Sequence, residues 1–107
     1  MPEGPSHPTF HVVQCFLKYQ SFDDAKADAP DEIAAHIQRS KELHAAGVLL
    51  MAGAFLDKTD EPLSTMGILT SREAAEEYVK GDPFYVNGMM SKWTIREWAN
   101  MFADRTA

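Results

Sequence analysis

The chain is 107 residues long, enough for one compact domain with a modest core and no covalent staples. Its single cysteine, Cys15, excludes an internal disulfide framework and leaves no cysteine pair for a structural zinc site. Asp and Glu number 16 against 10 Lys and Arg, and this formal charge of −6 disfavours a nucleic-acid backbone as partner.

The longest apolar run, residues 45–56, is broken by Gly47 and Gly53 and is too short to span a bilayer. The first residues have neither a basic start nor an apolar stretch, so no signal peptide is read and a cytoplasmic, soluble protein is expected. Pro, Gly and Ser crowd residues 1–9, which read as a flexible arm, with 10–107 as a single domain.

Residues 10–19 are dense in aromatic and β-branched side chains and read as a first strand covered on both faces. Cys15 lies within this apolar run and reads as a packed thiol. Residues 20–29 are polar and acidic and read as a loop. Pro30, Asp31 and Glu32 open a helix that runs to about Ala46, where Gly47 can take the left-handed cap conformation. Ile33, Ile37, Ser40 and His44 share one face of that helix, with His36 and Leu43 on its flank. A second strand is expected over 48–56, a polar connection over 57–62 and a third strand over 63–69. Thr70 with Glu73 reads as a capping box for a second helix ending at Gly81. Asp82-Pro83 opens a turn or single helical turn, and 91–98 forms the last strand.

The order is therefore β, α, β, β, α, β. Right-handed crossovers turn it into a ferredoxin-like α+β domain, a four-stranded antiparallel sheet with both helices on one face. The other face would be bare, and its apolar residues would be covered most simply by a second copy, giving a homodimer.

The chain has no Gly-rich phosphate loop, no HExxH and no Ser-centred nucleophile elbow. His36, beside the core-facing stripe of the first helix, is the leading candidate for proton transfer, because imidazole titrates near physiological pH. It also reads as an ordinary half-covered helix histidine. Asp82 can cap the turn after it, orient an imidazole, or do both with its two oxygens. Asp57 closes the second strand, either as a pocket acid or as a turn residue. His11 in the first strand and Ser40 on the helix are candidate substrate contacts, and Phe84 and Tyr85 could wall a site for a planar ligand. His11, His36, Asp57 and Asp82 are too irregularly spaced to be assigned as metal ligands.

These pieces together resemble the YCII-related family. The resemblance rests on His36, then Leu43, Ala45-Ala46-Gly47 and Val48-Leu49-Leu50-Met51-Ala52-Gly53. It continues through Thr70-Ser71-Arg72-Glu73-Ala74-Ala75, Gly81-Asp82-Pro83-Phe84 and Gly88. It implies a dimeric α/β barrel built from two sheets, with a histidine and an aspartate as the catalytic pair, roles that fall on His36 and Asp82. Asp57 matches an acid often present after the Ala-Gly strand. The activity it implies is cofactor-independent dehydrochlorination of a chlorinated hydroxyhydroquinone, without metal. A lactone isomerase or a non-catalytic metabolite-binding dimer is the alternative. Two positions depart from the family pattern: Ile33 stands where an arginine is usual, and Ala54 where a proline is usual. With that arginine gone, either the substrate is less anionic or the anchor is another cation, for which Arg39, Lys41 and Arg96 are available.

Overall fold

The computed structural model describes residues 8–102. Its elements in chain order are β1 (Thr9–Leu17), α1 (Phe22–Asp28), α2 (Pro30–Ala45), β2 (Leu49–Ala54), β3 (Ser64–Leu69), α3 (Arg72–Lys80), α4 (Pro83–Val86) and β4 (Met90–Ala99). The four strands form one antiparallel sheet in the order β2-β3-β1-β4. This is the expected ferredoxin-like α+β arrangement. All but two residues of the expected arm, 1–7, lie outside the described residues, and β1 already begins at Thr9.

Alternation along β1 decides the layering. Val13, Cys15 and Leu17 are buried beneath the helices, while Val12, Gln14 and Phe16 point to the opposite face. The register carries this division across the sheet. Val13 stands opposite Gly67 and Ile95, and Val12 opposite Ile68 and Arg96. Among the described residues no helix covers the second face, and Met66 and Trp98 are partly exposed there.

The core has two lobes. Val13, Cys15, Leu49 and Leu69 pack with Ala75, Tyr78 and Val79 of α3. Leu17 and Leu63 pack with Ala25, Ala29, Ile33, Phe84 and Met89. Full burial of each large aliphatic side chain contributes roughly 1.5–3 kcal/mol, so these lobes hold the helices to the sheet.

The second lobe explains a departure from the sequence reading. Residues 22–28 are helical rather than looped, because Ala25 and Ala29, one turn apart, dock under the sheet edge while the acids face solvent. The Ser21 hydroxyl accepts from the Asp24 N–H at 3.1 Å and starts this short helix. A second departure is the cap of α3: Ser71, not Thr70, accepts from the Ala74 N–H. Gly47 takes φ +78°, the left-handed conformation expected after α2.

Candidate active site

α2 crosses the sheet so that its inner side faces β2 and β3, and the two elements diverge around a pocket of about 650 Å3. His36, Ser40 and His44 line it from the helix at four-residue spacing. Residues of β2, with Thr65 and Met66 of β3, form the facing wall. Tyr78 of α3 lies at its base and Phe22 of α1 at its edge.

His36 is held from behind. Its Nδ1 lies 2.9 Å from Asp82 Oδ2 and 3.1 Å from Oδ1. Asp82 is 2% exposed and caps α4, Oδ1 accepting the Phe84 N–H at 2.8 Å. A carboxylate accepts, so the proton between the two residues belongs to Nδ1. In the neutral ring Nε2 then carries the free lone pair. Among the described residues Nε2 has no hydrogen-bond partner, and the imidazole retains 18% exposure. Phe84 stacks on the ring with centroids 4.2 Å apart and planes within 16°, which restricts its rotation. The capping contact orients Asp82, Asp82 orients His36, and Phe84 sets the plane of the ring.

Tyr78 is buried, and burial first, then the charge of Asp82, pushes its hydroxyl up to about 12. A hydrogen bond from Ser40 offsets part of that rise. Cys15 lies in the same buried layer. Burial chiefly, with Asp82 adding to it, pushes its thiol up to about 12 against a hydrogen bond with Thr65. A thiol so far from ionisation is a packing group and not a nucleophile.

The structure brings together some of the sequence candidates and separates others. His36 and Ser40 line the pocket, and Asp82 stands directly behind His36. Phe84 lies beneath the imidazole as a buried support and does not form a pocket wall. Tyr85 is 43% exposed on α4 and lines no part of the pocket. Asp57 is exposed in the connection after β2 and is likewise absent from the lining. His11 sits four residues before Cys15 on the helix-facing side of β1, about 13 Å along the strand from that layer. Its Nδ1 is buried without a hydrogen bond. Among the described residues no group of three or more His, Cys, Asp or Glu side chains converges as a metal site would.

Tyr78, Thr65 and Phe22 belong to the pocket and escaped the sequence reading. Tyr78 stood in the apolar stripe of α3, where a buried phenol needs a polar partner and so signals one nearby. Thr65 and Phe22 gave no such signal.

A four-stranded antiparallel sheet in this order, with a helix-bound imidazole over it, defines a ferredoxin-like α+β domain. Within that class the chain belongs to the YCII-related family, whose domain matches residues 14–99. Among solved structures it is similar to the 5-chloro-2-hydroxyhydroquinone dehydrochlorinase of Burkholderia phenoliruptrix in complex with 2,5-dihydroxybenzoquinone. The TM-score is 0.61 at 17% identity, over 83% of this chain and 92% of that one. A protein of unknown function from Nitrosomonas europaea aligns at TM-score 0.51 and 12% identity, over 92% and 93% of the two chains. A dimeric ferredoxin-like protein from an uncultured marine organism aligns at 0.50 and 7% identity, over 90% of each. At these identities the likeness is one of fold. No curated protein matches the sequence, and no helix among the described residues is long and apolar enough to cross a membrane.

Proposed function

We propose that the protein is a cofactor-independent lyase that removes HCl from a small chlorinated, hydroxylated aromatic, with His36 as general base and Asp82 as its positioning acid. The observation that carries this reading is the fixed imidazole: Nδ1 is held by a buried carboxylate, while the residue itself lines an apolar pocket of ring-sized volume. The dehydrochlorinase activity of the structural relative agrees with it.

The chemistry needs one proton shuttle. Nε2 takes the proton of a ring hydroxyl and returns it to the chlorine-bearing carbon, giving the keto tautomer. When a second hydroxyl loses its proton to Nε2, its electron pair passes through the conjugated carbons. The C–Cl bond then breaks and chloride leaves with the bonding pair. The net change is loss of HCl, the ring reaches the quinone level, and no outside oxidant is required. Asp82 offsets the charge that develops on the imidazolium, and the apolar walls hold the ring in plane. Asp57, His11 and Tyr85 have no part in this step.

The functional unit is proposed to be a homodimer joined through the bare sheet face into a dimeric α/β barrel, in keeping with the dimeric relative. A water-soluble protein of the cytoplasm fits the composition. Chloride release from 5-chloro-2-hydroxyhydroquinone by purified protein tests the proposal. His36→Ala should abolish the release above background while leaving the fold intact, and equal rates for the two proteins would end it.

A further inference from the structure

The chain is acidic overall, yet among the described residues the pocket lining contains no carboxylate. Its polar lining consists of one ammonium, two imidazoles and three hydroxyls, from Lys41, His36, His44, Ser40, Thr65 and Tyr78. The nearest buried acid, Asp82, turns both oxygens toward His36 Nδ1 and the Phe84 N–H. With one ammonium and no carboxylate among these residues, the cavity is locally positive in an acidic protein and suits an anion.

The three cations that could replace the usual arginine are sorted by the structure. Arg39 bonds the carbonyls of Glu77 and Tyr78 at 2.8 and 2.9 Å and so caps the C-terminal end of α3. Arg96 lies across the sheet, on the face away from the helices, opposite Val12. Lys41 alone lines the pocket. Position 33 itself is closed to a charge, because Ile33 is buried between Leu17, Ala25 and Phe84.

His44 stands beside Lys41 in the pocket lining. Its Nδ1 donates to the Leu49 carbonyl at 2.8 Å, which fixes the ring. Lys41 and His44 lie five and eight residues beyond His36, about 7.5 and 12 Å of helix rise. The anchor and the base are therefore more than one helical turn apart along the same pocket.

Resting on the lyase reading, we infer that the pocket selects ring substrates bearing an anionic oxygen group, held by Lys41 while the reacting hydroxyl meets His36. Lys41 is the specificity-determining cation.

The test uses two ring acids of one shape, 2,5-dihydroxybenzoate and the neutral 2,5-dihydroxybenzamide, titrated into the full chain and followed through its histidine imidazole NMR signals. A charge-assisted contact at the rim of a pocket should favour the benzoate by about 5- to 10-fold at low salt. Added salt should erode that preference and leave the amide unaffected. Lys41→Gln should bring the benzoate to the level of the amide, and Lys41→Arg should restore most of the difference. Equal binding of the two compounds, binding of neither, or an unchanged preference in Lys41→Gln would overturn the inference. The lyase reading is judged separately. A benzoate preference that survives in a protein releasing no chloride leaves the anchor standing and removes the reaction, and chloride release without the preference does the reverse.

Discussion

Replacing Asp82 by asparagine keeps the shape of the side chain and changes one of its two polar ends. The Phe84 N–H demands an oxygen at the Oδ1 position, so the amide NH2 of the D82N variant must take the place of Oδ2, which lies 2.9 Å from His36 Nδ1. Two N–H groups cannot share that contact. The other oxygen, 3.1 Å from Nδ1, is already taken by the Phe84 N–H, so the imidazole pairs with the new NH2 by moving its proton to Nε2, which leaves the pocket-facing nitrogen a donor with no lone pair to accept a proton. The stability loss is modest. A hydrogen bond to a charged group, worth about 1.5–3 kcal/mol, becomes a neutral one worth about 0.5–1.5, a difference near 1–2 kcal/mol. In a domain of this size that lowers the melting temperature by about 4–16 °C. The rate should fall much further, by about 10²–10⁴, the contribution of a correctly protonated general base. Asp82→Ala should be worse for the fold, since losing the α4 cap adds about 0.5–2 kcal/mol. Nitrogen-15 spectra of the imidazole read the tautomer directly, thermal unfolding by circular dichroism reads stability, and a chloride electrode reads the rate. A D82N protein with its proton still on Nδ1 and an unchanged rate would refute this account of the pair.

Two further expectations concern stability and assembly. Cys15 and Tyr78 are both raised to about 12 in the folded chain from reference values of 9.0 and 10.0. The unfolded chain therefore ionises first, and the stability they contribute is complete below pH 9 and lost as pH climbs toward 12. Each group steepens the fall by up to about 1.4 kcal/mol per pH unit. Tyr78→Phe should therefore show a shallower alkaline decline in urea unfolding than the parent, and parallel declines would contradict the burial argument. Ile68 lies on the uncovered sheet face opposite Val12 and Met51. If that face joins two copies, the parent should sediment as a dimer and Ile68→Lys as a folded monomer, whereas a monomeric parent would remove the interface.

Much of the fold is legible in the sequence because strands and amphipathic helices announce themselves by period. β1, α2 and β4 lie within one or two residues of the positions read from apolar spacing and caps. α1 escaped because only Ala25 is buried from it, with Ala29 at its C-cap, and two alanines among acids carry too little hydrophobic signal. Ser21 and Asp24, at capping-box spacing, were the one local clue. The site is a harder case. His36 was visible from its place beside a helical stripe, and Asp82 from its place before a proline. That the two side chains meet across 46 positions depends on how α2 and α4 pack, which no local pattern encodes. Asp57 shows the converse: at the strand end it read as either a pocket acid or a turn residue, and it is exposed in the connection after β2.

Asp82 serves two masters, the first turn of α4 and the imidazole of His36. In a descendant that had abandoned the reaction, selection for stability alone would go on retaining this carboxylate. Position 36 has no such second role, for its imidazole, 18% exposed, contributes to the fold only its stacking on Phe84 and its bond to Asp82. Across relatives of this chain, a lost histidine beside a retained aspartate would mark the lineages where the fold outlived its chemistry.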